Sequence, residues 1–227
     1  MPQISEKREF FMTERELLQM VDHTLLSPTA SEEDIRLTVS EGILASAASV
    51  CIPPRFVHAA VSEAQGKIPV CTVVGFPLGY NDALAKVREA ELAISQGAAE
   101  IDTVMPIGAL LSGDLGAVRE ELALLRRATQ GRVLKVIIEA CLLTDVQKRI
   151  ATRLVAESGA DFVKTSTGFS TGGATVEDIA LLKEEARGMG VKASGGIRSF
   201  SQALALVQAG ATRIGASRLV KEFLRLS

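Results

Sequence analysis

Short runs of β-branched and other apolar residues alternate along the chain with longer stretches whose apolar positions recur at three-and-four spacing. The two spacings separate strands from amphipathic helices, because strand side chains alternate between faces while a helix returns to one face about every 3.6 residues. Strand-like runs centre near Asp22, Ala48, Thr72, Asp102, Val136, Val163, Lys192 and Arg213. They recur roughly every 27 residues, the length of one strand plus one crossover helix. Helix starts are marked by Ser31, Asn81-Asp82, Asp114, Thr144, Thr175 and Ser199, short polar residues suited to capping free backbone N–H groups. Gly42, Gly97, Gly159 and Gly210 stand where left-handed C-terminal caps are wanted.

Eight strand–helix units predict an α/β protein whose parallel sheet closes into a (β/α)8 TIM barrel. An open doubly wound sheet is the alternative that the same alternation allows. Residues 1–227 read as a single barrel domain, with Thr13 to Met20 forming a short additional N-terminal helix over the barrel's bottom.

Composition removes several functions. The 227 residues are 47% hydrophobic and 23% charged, which is ordinary for a globular protein. Lys and Arg total 25 against 27 Asp and Glu, aromatic residues make up 4% and Trp is absent, so neither basic excess nor stacking rings point to nucleic acid. No apolar run approaches the roughly 18 residues of a membrane span, and the charged opening MPQISEKREFFMTE is unlike a signal peptide. A cytoplasmic location is therefore expected. Cys51, Cys71 and Cys141 show no C-x-x-C spacing and read as reduced, structural thiols. His23 and His58 lie too far apart to form a metal cluster, so no resident metal or other cofactor is expected.

In a barrel of this kind the active site gathers at the carboxyl ends of the strands, which directs attention to charges inside otherwise apolar strands. Asp102 in EIDTV, Lys164 in DFVKTS and Lys192 in VKASG are such charges, and strand parity turns all three inward. Any one buried lysine is equally consistent with a structural ion pair, but two lysines with an aspartate favour catalysis. Lys164 and Lys192 fall on consecutive strands about 4.8 Å apart, so repulsion and desolvation should depress the pKa of one amine. A drop of roughly three units from about 10.4 would leave much of that amine neutral at pH 7 and able to condense with a carbonyl. The expected roles are Lys164 as nucleophile, Lys192 as the cation that keeps it neutral, and Asp102 as proton shuttle.

Lys135 and Glu139 share strand parity and read as a supporting polar network. Asp22 and Thr24 lie on one strand face and are candidates for binding substrate hydroxyls, with His23 between them turned outward as a packing residue. Three glycine- and hydroxyl-rich loops, Ser166–Thr175 with Gly172, Ser194–Ser199 with Gly195 and Gly196, and Gly215–Arg218 with Ser217, follow the last strands. Backbone N–H groups at such loops, backed by helix N-termini, form a phosphate cradle, to which Arg218 would add a charge.

The motifs VVGFPLG (Val73–Gly79), EID (Glu100–Asp102), LKVIIE (Leu134–Glu139), GADFVKTSTGFSTGGATVEDI (Gly159–Ile179), VKASGGIR (Val191–Arg198) and GATRIGAS (Gly210–Ser217) together resemble the deoxyribose-phosphate aldolase family. The resemblance runs from Asp22 nearly to the end of the chain. It implies a (β/α)8 class I aldolase that reversibly splits 2-deoxy-D-ribose 5-phosphate into D-glyceraldehyde 3-phosphate and acetaldehyde. Carried over residue by residue, it implies a Schiff base on Lys164, a second lysine at Lys192, a proton-shuttling Asp102 and phosphate contacts at Gly172, Gly195, Gly196 and Gly215 to Ser217. The chain departs from the family pattern at Ser27, Pro53 and Arg218, and it has no tyrosine beyond Tyr80. Expected partners are sugar phosphates and aldehydes, with neither nucleic acid nor membrane; a homo-oligomer, dimer or tetramer, is allowed. Another sugar-phosphate Schiff-base aldolase or isomerase, or a silent phosphate-binding barrel, are the competing readings.

Overall fold

Strands β1 (Val21–Thr24), β2 (Ser49–Ile52), β3 (Val70–Val74), β4 (Glu100–Val104), β5 (Val133–Ile137), β6 (Phe162–Lys164), β7 (Gly190–Ser194) and β8 (Arg213–Ala216) pair in parallel, each with the next. Strand β8 closes onto β1 with Val21 opposite Ile214, which removes the open-sheet alternative. This computed structural model describes residues 12–226, so the charged opening stretch up to Phe11 lies outside the described residues. Strands β2, β3 and β4 are buried along their whole length, as expected of parallel strands lined by side chains within and helices without.

The outer layer comprises α2 (Glu32–Leu44), α3 (Val57–Ala64), α4 (Ala83–Ser95), α5 (Ile107–Leu111), α6 (Leu115–Ala128), α7 (Asp145–Glu157), α8 (Val176–Glu185), α9 (Phe200–Gln208) and α10 (Leu219–Leu226). Ahead of β1, α1 (Glu14–Leu18) buries Leu17 and Leu18 and packs beside α9 and α10. All six expected start signals cap their helices. Ser31 and Thr144 form reciprocal boxes with Asp34 and Gln147, while Asp82, Asp114, Thr175 and Ser199 each accept a backbone N–H from the first turn. Such a cap contributes about 1 kcal/mol.

Gly97, Gly159 and Gly210 end their helices at positive φ. Gly42 does not. It lies inside α2, where a Cβ would come within 2.7 Å of Val50, and the left-handed turn that follows is made by Ser46 at φ 54°. Close helix-to-strand approach, and no cap, explains that glycine.

The loop after β3 is tied down from below by Lys86. Its fully buried ammonium donates to the Gly79 and Val104 carbonyls at 2.6 and 2.9 Å and pairs with Glu121 at 2.6 Å. Burial pushes the Glu121 carboxyl up, against the pull of Lys86. Among the described residues no helix is long and apolar enough to cross a membrane.

Candidate active site

Strand register decides which inward charges meet. Asp102 of β4 stands opposite Lys135 of β5, whereas Lys164 of β6 stands opposite Ile137, two residues nearer the carboxyl end of the barrel. Lys164 is in turn level with Lys192 on β7. Three ammonium groups therefore converge on one carboxylate from different heights. Lys135 donates to Asp102 Oδ1 at 2.7 Å, and Lys164 and Lys192 both donate to Oδ2 at 2.7 Å.

The second anchor is Asp22. Its Oδ2 accepts from Lys192, and its Oδ1 accepts from Arg213 at 2.6 Å and from the Ser49 hydroxyl at 2.8 Å. Glu100, two residues before Asp102 on the same face of β4, pairs with Lys135 at 2.5 Å and with Arg213 at 3.5 Å. Burial would raise the Asp102 carboxyl, but Lys135, Lys164 and Lys192 outweigh it and hold the group well below the ordinary carboxylate range. Asp22 is likewise lowered, with Lys192, Lys135 and Arg213 overcoming its desolvation. Desolvation opposes the charge on Lys192 too, yet Asp102 and Asp22 raise its pKa above the ordinary lysine value, so it remains a cation.

Several sequence expectations change here. Lys164 and Lys192 do not face each other as bare cations: the Asp102 carboxylate bridges them, which answers the repulsion that parity alone predicts. Lys135 belongs to the central network through Asp102 and Glu100, and it does not pair with Glu139. Glu139, itself at φ 49°, instead receives the backbone N–H and hydroxyl of Thr167 and so anchors the loop after β6. Asp22, expected to bind substrate hydroxyls, is instead fully buried and does not line the cavity; it orients Lys192 and Arg213. His23 faces outward as expected and meets Glu41 at 2.8 Å. Arg213 and Glu100 carry parity signals that a scan of β8 and β4 for inward charges would have caught.

Above this floor lies a cavity of about 380 Å³ whose lining includes Lys164, Thr24, Leu26, Ser27, Thr167, Gly168, Phe169, Ser194, Gly195, Gly196, Gly215 and Ser217. Of the three lysines on Asp102, Lys164 is the one that lines it, at 3% exposure; Lys135 and Lys192 are sealed off below. Thr24, Gly195, Gly196, Gly215 and Ser217, the residues expected to contact substrate, all line this cavity. Gly172 does not: it stands against the Cys141 side chain, 2.7 Å from where its Cβ would be. Its neighbour Gly173 is the one pressed to the cradle, since a Cβ there would meet the Gly195 carbonyl oxygen at 2.2 Å. Ala174 N–H donates to that same oxygen at 3.0 Å and fixes the two loops together.

Gly173→Ala must push these loops apart, because the three nearest atoms are all backbone, of Gly195 and Gly196, and none belongs to a flexible side chain. We expect KM for the phosphorylated substrate to rise about tenfold or more with a smaller change in kcat, as when binding common to ground and transition states is lost. Steady-state kinetics beside a thermal melt would check it; an unchanged KM would refute the loop contact as a determinant.

Two thiols complete the floor. Cys71 donates to Asp102 Oδ1 at 3.2 Å, and burial pushes its thiol well above the ordinary value. The ligand atoms of Cys51, Cys71 and Asp102 lie within 4.8 Å of one another, a donor set that would suit a soft metal ion by type. Three ammonium groups already surround that carboxylate, however, and their charge opposes a further cation there.

The geometry has relatives. Over 203 residues the chain is 48% identical to the deoxyribose-phosphate aldolase of Streptococcus sanguinis strain SK36, covering 88% of this chain and 92% of the relative. It is 45% identical over 208 residues to the deoxyribose-phosphate aldolase of Clostridioides difficile strain 630, covering 91% and 95%. A solved deoxyribose phosphate aldolase from Aeropyrum pernix, described as a tetramer, superposes with a TM-score of 0.86 at 36% identity, covering 95% and 94%. Residues 16–225 match the DeoC/LacD aldolases, and with the barrel and its lysine-lined cavity in place the chain belongs to that family.

Proposed function

We propose that this chain is a deoxyribose-phosphate aldolase working as one barrel domain, with Lys164 as its Schiff-base residue. The observation that carries the assignment of the nucleophile is access: among the lysines bound to Asp102, Lys164 is the one whose amine borders the cavity. Family membership and relatives at 45 to 48% identity support the substrate, 2-deoxy-D-ribose 5-phosphate.

The floor has four cationic side chains, Lys135, Lys164, Lys192 and Arg213, against three carboxylates, Asp22, Glu100 and Asp102. With Lys164 as the free amine, the remaining three cations balance the three carboxylates. The free amine then attacks C1 of the open-chain sugar, and loss of water from the carbinolamine gives an iminium. As the C3 hydroxyl surrenders its proton, the C2–C3 bond breaks; its electron pair moves into the iminium to form an enamine, and D-glyceraldehyde 3-phosphate leaves. Protonation of the enamine at C2 and hydrolysis release acetaldehyde and regenerate Lys164. Asp102, 2.7 Å from the Lys164 amine, is positioned to relay protons through water, and its neighbours Lys192 and Lys135 stabilise the negative charge that develops on oxygen. The Gly195-Gly196 loop and the Gly215–Ser217 turn hold the substrate phosphate by backbone N–H groups.

Borohydride added with substrate should fix a two-carbon or five-carbon adduct on Lys164, located by mass spectrometry of the digested protein. An adduct on a different lysine, or none while acetaldehyde is being released, would overturn the assignment. The three free cysteines fit a reducing compartment, the cytoplasm. A homo-oligomer is in keeping with the tetrameric Aeropyrum pernix enzyme.

A further inference from the structure

Immediately outside the phosphate loops the surface turns basic. Arg198 directly follows Ile197, and Arg218 directly follows Ser217, both of which line the cavity; the two arginines themselves line a separate recess with Lys221, Glu222 and Arg225. Lys221 and Arg225, four apart, share one face of α10, and Arg218 stands immediately before its first residue, three positions ahead of Lys221. Four cations thus stand against one carboxylate in a protein whose net charge is −2.

These cations are poorly neutralised. Among the described residues Arg198, Arg218 and Arg225 have no carboxylate within salt-bridge distance, and Lys221 has only Glu41 at 3.9 Å. Several arginines elsewhere are paired: Arg149 and Arg153 share Glu185, lowering its carboxyl to about 2, and Arg88 meets Glu91 at 2.6 Å. Arg55, Arg127, Arg132 and Arg187 also lack a carboxylate among the described residues, but none of them lines this recess. Like charges gathered without partners repel one another, and a planar guanidinium fork matches phosphoryl oxygens in pairs.

We propose that this recess is an outer anion site that accepts the second phosphoryl group of a ligand whose first occupies the cavity's glycine cradle. The inference rests on the cradle reading given above. The ligand class is a small anion with two phosphoryl groups, a sugar bisphosphate or an inorganic polyphosphate, and it would act as a competitive inhibitor that bridges cavity and recess. Because the recess is open to solvent, its contribution should weaken as salt rises.

Competition against substrate, measured without divalent cations, tests the site with four probes: orthophosphate, tripolyphosphate, fructose 6-phosphate and fructose 1,6-bisphosphate. Each doubly or multiply phosphorylated probe should compete roughly tenfold more tightly than its single-phosphate counterpart. Tightening in one pair alone identifies the sugar or the inorganic form as the ligand. In Arg218→Ala/Arg225→Ala the preference should fall to about threefold or less, and Arg225→Ala alone, at an exposed position near the helix end, should lower it part of the way. Arg88→Ala, which removes an exposed paired cation, should leave it intact. Absence of competition by orthophosphate and fructose 6-phosphate would reject the cradle and this site with it. Competition by those two without tightening, or tightening that survives the double variant, would reject the outer site alone.

Discussion

Lys164→Leu should lose on the order of 10⁴-fold or more in kcat/KM, about 5.5 kcal/mol of transition-state stabilisation, while the barrel stays folded. The loss is large because no other amine can substitute: Lys135 and Lys192 are sealed beneath the cavity, Lys135 committed to three carboxylates and Lys192 to two. The fold survives because Asp102 retains both of those lysines when Lys164 is gone, so no buried carboxylate is left bare. Lys164→Arg separates chemistry from charge, since a guanidinium restores the cation and cannot form the iminium. Both variants should be equally inactive in an acetaldehyde-release assay and should melt cooperatively. Recovery of activity by arginine would mean that the side chain acts only through its charge.

Asp102→Asn should lower kcat by about 10²–10⁴-fold, the span expected when an acid–base group is removed. Unlike the lysine change, it also threatens the fold. Three ammonium groups lose their shared counter-charge, and breaking a buried network in this way costs about 3–5 kcal/mol, a fall of roughly 6–20 °C in Tm for a domain of this size. The pH dependence has a definite sign. Asp102 titrates in the folded protein well below its unfolded value, so its stabilising contribution is complete above pH about 4 and is lost as pH falls through the folded value. The stability gap between Asp102→Asn and the parent should therefore be widest near neutrality and narrow in acid. Equal melting temperatures at pH 7 would show that Asp102 is not the counter-ion of the three lysines.

The strands and helix starts were legible because they depend on local rules: short polar caps, spacing by three and four, and β-branched runs of fixed interval. Ser31, Asp82 and Thr144 needed only their next few residues to declare themselves. Strand parity also revealed the inward turn of Asp102, Lys164 and Lys192. Parity says nothing about height, however, and height decided the chemistry. The offset that places Lys164 opposite Ile137 while Lys135 faces Asp102 follows from barrel stagger, a property of all eight strands together. The same ignorance of height promoted Asp22 from buried counter-ion to candidate substrate contact. Gly172 and Gly42 misled for a different reason, because a glycine tolerates many surroundings and only the opposing atoms, Cys141 and Val50, reveal which one it serves.

Glu139 and Thr167 clamp the loop after β6 from outside the ionic floor, and Gly173 locks it to Gly195, so the cavity's walls are fastened independently of the residues that make and break bonds. An enzyme assembled in this way can trade one acceptor aldehyde for another by altering Leu26, Ser27 or Phe169 at the rim, leaving the electrostatics beneath Lys164 undisturbed. Divergence of appetite without divergence of reactivity is the evolutionary course that such an architecture leaves open.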